Sequence, residues 1–369
     1  MRKASKRLRW WGGTLAVTTL WCCAIAQTTP KQEVSADSPA TRSAVAPATE
    51  SVATLKSLRH SIDIGHAGDA LKTISELRAQ GGSTGGEVAG LNRIEGLAHY
   101  SLSELTLADA AFAAALKEDP NDIESAQMRG LTLFRLGHPA EAIPLLELAS
   151  SKGGLAKADP NYILALCYMD TRRYDDARHA FAAQFDFAPD SAEAYLVAAR
   201  MLLRREFLPI AKSYAEKSVE LEPALPLAHE LLGEIALAGD HLDEATAEFE
   251  KEKAHNPLEG AIYDRLGDTY LRAARYDDAQ RSLQEAVLLE PNSTGPYILL
   301  GKTMLKKADP IAAATYLERA EKMDPANYVT HSLLGQAYRT MGRHEEAARE
   351  TTTAQKLQTA SEPKLPTAH

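Results

Sequence analysis

The chain has 369 residues, 45% of them hydrophobic but only 6% aromatic, and a formal net charge of −9. That is material for one large or two ordinary domains, and scarce rings with plentiful alanine favour closely spaced helices over one core of bulky side chains. The acidic balance repels phosphate backbones and argues against nucleic acid as a partner.

The first nine residues hold five basic side chains (Arg2, Lys3, Lys6, Arg7, Arg9), and residues 10–26 carry no charge. With small residues at Ala24 and Ala26, this pattern predicts a secretory signal peptide cleaved after Ala26, and hence export to a periplasmic or secreted location. The alternative is an uncleaved anchor in the inner membrane, because 17 uncharged residues reach the lower limit for spanning a bilayer. Such an anchor is the one membrane contact expected. Cys22 and Cys23 fall in this leader, so cleavage leaves Cys167 alone, without an internal disulfide, and five lost positive charges take the formal charge from −9 to −14.

Residues 27–50 are mostly Pro, Ser, Thr and Ala, too poor in large apolar groups to offset the entropy of ordering, and read as a disordered tether. Residues 361–369 read as a disordered tail of the same kind. Between the tether and the main array, residues 51–88 look like a worn helical unit around Ala70, Ile74 and Leu77, closed by the glycine-rich stretch GGSTGG. That stretch lacks the preceding strand and following lysine of a phosphate-binding loop, so it reads as a spacer.

From residue 89 a period of 34 takes over. Gly233, Gly267, Gly301 and Gly335 keep it, as do Pro189, Pro223, Pro257, Pro291 and Pro325, and Ala177, Ala211, Ala245, Ala279, Ala313 and Ala347. In the unit 260–293, Ile262, Leu266 and Tyr270 stack on one helical face. The pattern breaks at AARYDD, where Asp277 or Asp278 is expected to cap a second helix carrying Ala279, Leu283, Ala286 and Val287, which Pro291 ends. Each unit is therefore a helical hairpin, and Gly267 facing Ala279 is expected to let its two helices cross closely.

This unit resembles the tetratricopeptide repeat. The repeat's large residue at position 4, Leu at 7, small residue at 8, Tyr at 11, Ala at 20, apolar residue at 24, Ala at 27 and Pro at 32 are matched by Tyr263, Leu266, Gly267, Tyr270, Ala279, Leu283, Ala286 and Pro291. Eight units in this register begin at Ala89, Ile123, Ala158, Ala192, Pro226, Gly260, Thr294 and Tyr328 and span 89–360, with one extra residue, Lys157, after the second. The last unit has polar Thr351 at position 24 and no closing proline, as suits a terminal unit against water. The resemblance implies an all-α fold, a right-handed solenoid of stacked antiparallel helix hairpins.

No zinc-protease, dithiol, nucleophile-elbow or nucleotide-loop motif is present, so no cofactor, metal or catalytic residue is expected and the chain reads as a non-enzyme. His229 and His331 at position 4 read as structural, Cys167 as a buried inert thiol, and the acidic pairs Asp175–Asp176, Asp277–Asp278 and Glu345–Glu346 as helix caps.

The resemblance further implies that a protein or peptide partner binds along an inner face lined by positions 2, 5, 9, 12 and 13 of each first helix. Those positions hold Arg93, Leu97, Gln127, Leu131, Tyr162 and Leu166 in the early units. The later units offer Arg200, Arg204, Glu234, Asp264, Asp268, Arg272, Lys302 and Lys306, so the groove is expected to be apolar towards its N-terminal end and charged towards the other. The alternative is that these apolar residues are inter-helix core and the charges an ordinary solvated face. No three consecutive units carry the Lys, Asn and Arg set with which chaperone-binding arrays hold a peptide carboxylate. The expected function is a non-catalytic scaffold of the cell envelope that binds a partner's peptide or helix. An accessory subunit of an envelope polysaccharide-synthesis or secretion and pilus assembly machine is the second reading.

Overall fold

A computed structural model describes residues 47–84, 89–153 and 159–361. The predicted leader, most of the tether, the end of the glycine-rich stretch, Lys157 and the tail beyond 361 lie outside the described residues. Among the described residues every regular element is an α-helix. In chain order they are α1 (Pro47–Asp63), α2 (Ala67–Thr84), α3 (Leu91–Ser101), α4 (Leu105–Glu118), α5 (Ile123–Arg135), α6 (Pro139–Ser151), α7 (Pro160–Asp170), α8 (Tyr174–Phe185) and α9 (Ala192–Arg204). The second half holds α10 (Leu208–Leu221), α11 (Ala228–Ala238), α12 (Leu242–His255), α13 (Gly260–Arg272), α14 (Tyr276–Leu289), α15 (Thr294–Lys306), α16 (Pro310–Met323), α17 (Tyr328–Thr340) and α18 (His344–Ser361). None of these helices is long and apolar enough to cross a membrane.

Local chemistry explains the boundaries. Asp122, Asp159, Ser191, Asp309 and Asn327 accept hydrogen bonds from the first-turn amides of α5, α7, α9, α16 and α17. Proline opens α6, α7 and α16, where its missing N–H costs nothing. Five of the predicted unit starts, Ile123, Ala192, Gly260, Thr294 and Tyr328, are the first residues of helices, and the other three precede theirs by two residues. Two predicted boundaries move. Helix α1 begins at Pro47, inside the expected tether, and α2 runs to Thr84, into the expected loop. Helix continuation outweighs the intrinsic cost of Gly81 and Gly82 there, about 1 kcal/mol each.

Successive helices pack as hairpins from α3/α4 to α17/α18, and each hairpin packs on the next. The first helices of neighbouring units also touch: α3 with α5, α5 with α7, α9 with α11, α13 with α15, and α15 with α17. The first helices therefore lie closer together than the second helices do, and they line the inner side of the stack. Leu58, Ala70, Ile74, Leu91 and Ile94 share one cluster, which joins α1 and α2 to α3.

Small residues set the hairpin spacing, but not with the expected partner. A Cβ placed on Gly96, Gly130 or Gly233 would lie 2.5–2.7 Å from Phe112, Leu146 or Phe249, and at Gly267 and Gly301 it would meet Leu283 and Leu317. The residue facing each glycine is thus position 24, not position 20. Ala279 is fully buried, yet Leu283, one turn further on, fills the crossing.

The acidic pairs are not caps either. Asp176, Asp278 and Glu346 sit in the first turns of their helices and accept from the Nε of Arg173, Arg275 and Arg343 at 2.6–2.7 Å. Each of these arginines lies over a tyrosine ring, Tyr168, Tyr270 or Tyr338, at 4.3–4.4 Å. Each tyrosine hydroxyl donates to a glutamate of the preceding unit, Glu147, Glu250 or Glu318. The acids thus belong to a stitch between units.

The turn inside every hairpin has one fixed form. Position 15 has positive φ in all eight units: Ser103, Gly137, Arg172, Glu206, Asp240, Ala274, Ala308 and Gly342. Behind it runs the bond pair of a Schellman motif, as in Arg275 N–H to Tyr270 C=O at 2.8 Å and Ala274 N–H to Leu271 C=O at 3.2 Å.

Gly267→Ala is expected to destabilise the fold by about 1–2 kcal/mol, the overpacking against Leu283 exceeding the gain in helix propensity. Gly335→Ala faces the Thr351 hydroxyl at 2.9 Å, a group that can rotate away, and is expected to fall within about 0.5 kcal/mol of neutral. Urea midpoints of the two variants check the contrast; equal losses would show that the facing side chain does not set the spacing.

Candidate functional site

A face built from closely packed first helices brings long charged side chains of successive units within reach of one another. In the middle of the array, Glu234 on α11 lies between Arg200 of α9, at 3.6 Å, and Arg265 of α13, at 2.8 Å. One turn before Glu234 is Glu230, only 8% exposed, whose carboxylate makes no hydrogen bond or ion pair among the described residues. Its carboxyl is pushed up to about 7, first by burial and then by the charge of Glu234, against the pull of Arg200 and Arg265. Asp264 holds the same position in the next unit. Burial raises it to about 6, with Arg265 opposing and Asp268 and Glu290 adding to the rise. Its Oδ1 is buried without a hydrogen-bond partner, and so is Nη2 of Arg200.

The first turn of α11 is pinned from behind. Leu227 takes a left-handed φ of 69° before the helix, leaving its amide free to point inwards. Glu252, 1% exposed, accepts from Leu227 N–H at 3.0 Å, from Glu230 N–H at 3.3 Å and from the Asn256 amide at 2.5 Å. A carboxylate at a helix N-terminus meets both free amides and the positive end of the dipole. Sequence reading missed Glu252 and Arg265. The signal for Glu252 was there: it stands at position 27, where Ala115, Ala149, Ala286, Ala320 and Ala354 stand in other units.

The N-terminal part of the face differs from expectation. Arg59 of α1 donates to both carboxylate oxygens of Glu124 on α5, and Arg93 reaches Asp122 at 3.2 Å and Glu124 at 3.5 Å. Gln127 is fully buried and Leu166 is 8% exposed within the largest core cluster, so neither offers surface to a partner. Leu97 and Leu131 are half-buried, and Tyr162 is exposed with its ring edge-on to Phe181. Of the expected apolar groove, Leu166 belongs to the inter-helix core, whereas Leu97, Leu131 and Tyr162 keep part of their surface. Towards the other end, Arg204, Lys302 and Lys306 are exposed and in no ion pair among the described residues, Asp268 is half-buried, and Arg272 pairs with Asp240 at 2.7 Å.

The remaining candidates are structural. His229 Nδ1 lies 2.7 Å from Glu248. His331 brings Nδ1 to Glu350 at 2.7 Å and Nε2 to the Pro325 carbonyl at 2.9 Å. Glu321, His331 and Glu350 converge, yet both ring nitrogens already face acceptors, the arrangement of a protonated imidazole. Although burial opposes it, that pairing raises the His331 pKa. Burial drives the Cys167 thiol up to about 11, which leaves it unreactive.

Glu230 and Asp264 bind protons more tightly in the folded chain than in the unfolded one, so their stabilisation is complete below their unfolded pKa values and is lost as pH rises through about 6 and 7. Asp277 and Glu346, held low by Lys307 and Arg343, act below that window. Stability is expected to fall by a few kcal/mol (order of magnitude) between about pH 5 and pH 8, and Glu230→Gln to remove about half of the drop. Urea melts at the two pH values measure it, and an unchanged slope in the variant would contradict the burial of Glu230.

Family models described as tetratricopeptide repeat match residues 128–192, 164–208 and 298–354, and residues 261–293. No curated protein matches the sequence. Among solved structures, YrrB, described as a tetratricopeptide repeat protein with an unusual peptide-binding site, is 21% identical with a TM-score of 0.43, covering 50% of this chain and 95% of its own. MamA from Desulfovibrio magneticus RS-1 is 22% identical with a TM-score of 0.44, covering 47% of this chain and 98% of its own. The matched segments show that the chain carries tetratricopeptide repeats, and the eight helical hairpins from α3 to α18 among the described residues follow the register of those repeats.

Proposed function

We propose that the first-helix face from α9 to α15 binds a peptide or helical segment of a partner protein, and that the chain does so in the cell envelope. Tetratricopeptide repeat arrays are binding scaffolds for protein and peptide partners and carry no catalytic centre of their own. The observation that carries the choice of face is the pair of buried polar atoms without partners, Arg200 Nη2 and Asp264 Oδ1, beside exposed Arg204, Lys302 and Lys306. A folded chain rarely leaves such atoms unsatisfied, and an extended segment supplies the missing donors and acceptors. The envelope setting is supported by the basic start, uncharged run and small residues of the first 26 positions.

Pull-down from envelope extract with the full chain tests the face. Arg204→Glu, Lys302→Glu and Lys306→Glu together are expected to weaken partner recovery at least about ten-fold, while Arg281→Glu on α14 leaves it unchanged. Equal recovery with all variants would remove the face from the account. The mature chain in the envelope fraction is expected to begin at Gln27; N-terminal sequencing that finds the leader still attached would replace export by anchoring.

A further inference from the structure

At the boundary between the last two units, three helices bring ligand-type side chains to one point. Glu321 of α16, His331 of α17 and Glu350 of α18 place one ligand atom each within 4.8 Å of one another. The His331 side chain is 5% exposed and both acids keep some surface, so the point is sheltered yet reachable from solvent. The repeat itself tells which ring nitrogen carries hydrogen. Tyr263 and Tyr297, at the same position 4 of their units, donate their hydroxyls to the carbonyls of Pro257 and Pro291 at 3.0 and 3.4 Å. His331 Nε2 reaches the Pro325 carbonyl at 2.9 Å in the same way, and because a carbonyl only accepts, Nε2 is the donor. Nδ1 is left facing two carboxylates, Glu350 at 2.7 Å and Glu321 at 4.0 Å. Neither acid pairs with a lysine or arginine among the described residues. A proton on Nδ1 serves Glu350 alone and leaves Glu321 beyond hydrogen-bond reach, with the two acids outweighing one positive charge. A divalent cation on the neutral imidazole serves both acids and balances them.

We infer that Glu321, His331 and Glu350 bind a divalent transition-metal cation of the zinc type, and that the ion ties the last hairpin to the one before it. A ligating histidine is held by donating its other ring N–H to a carboxylate or a backbone carbonyl, which is what His331 does at Pro325. One imidazole and two carboxylates suit zinc, whose bonds of about 2.0–2.2 Å set neighbouring ligand atoms of a tetrahedral site about 3.3 Å apart. The distances to Nδ1, 2.7 and 4.0 Å, straddle that value, so shifts of less than about 1 Å in the two flexible carboxylates accommodate the ion. Water completes the coordination from the solvent side. The ion takes the place of the Nδ1 proton, since imidazole ligates in its neutral form. The unit beginning at Pro226 supplies an internal comparison. His229 and Glu248 stand three periods before His331 and Glu350 and repeat their 2.7 Å contact, but Val219 holds the position of Glu321, and Lys251 already pairs with Glu248 at 2.7 Å. The pair alone is therefore a structural contact, and the third ligand is what makes a site of it.

Calorimetric titration of zinc into the untagged full chain, stripped with chelator and held at mildly alkaline pH, tests the site. One tight zinc per chain is expected, bound at least about ten-fold more weakly by Glu321→Gln and by Glu350→Gln and unchanged in Glu248→Gln. Zinc is also expected to raise the melting temperature of the parent and not that of Glu321→Gln. Glu321 is partly exposed and makes no hydrogen bond among the described residues, so its replacement spares the fold, and melting in chelator is expected to match the parent's. Four results would each overturn the site: no saturable uptake by the parent, uptake that Glu321→Gln or Glu350→Gln leaves unchanged, an equal loss in Glu248→Gln, or a parent melting temperature indifferent to zinc.

Discussion

How near the two helices of a hairpin can approach decides the rest of this structure. At five of the crossings a glycine at position 8 receives a Phe or Leu from position 24, with no room for even one added carbon. Close crossing buries the large side chain completely, as at Phe112, Phe249, Leu283 and Leu317, so a chain with few aromatics still makes a dry interior. Each such side chain contributes roughly 1.5–3 kcal/mol on burial, more than any one of the surface ion pairs. Repetition of the same crossing then holds the units in a common register.

That closeness has an electrostatic price on the inner side. First helices of neighbouring units touch, and their long side chains meet across unit boundaries, as in the Arg200–Glu234–Arg265 ladder. The Tyr–Arg–acid stitches are half-exposed and screened by solvent, and they serve more to fix how one unit seats on the next than to hold it there. The inner ladder is more deeply placed, and it combines a buried carboxylate with unmet polar atoms. Local instability thus sits in these few residues.

The hairpins and their starts could be read from the sequence because the period is carried by small, buried, locally acting residues. Which residue fills the crossing could not. Ala279 and Leu283 lie one turn apart on one face, and helical spacing alone does not say which stands opposite Gly267. The expected groove positions lie on the first helices of their units, but Gln127 and Leu166 are covered. At that end Arg59 meets Glu124 sixty-five residues along, a contact no short-range pattern encodes. Glu252 was visible as an acid in a column of alanines, but only its burial and its two bound amides explain it.

The left-handed residue inside each hairpin limits how the chain could vary. Six of the eight are not glycine, and they hold φ between 58° and 63° at a cost of roughly 1 kcal/mol apiece. A turn kept at that expense has one permitted length, since an added residue would rotate the second helix and turn its buried alanines outwards. Insertions, grafted segments and new chain termini are therefore compatible with the joints between units and not with the bends within them.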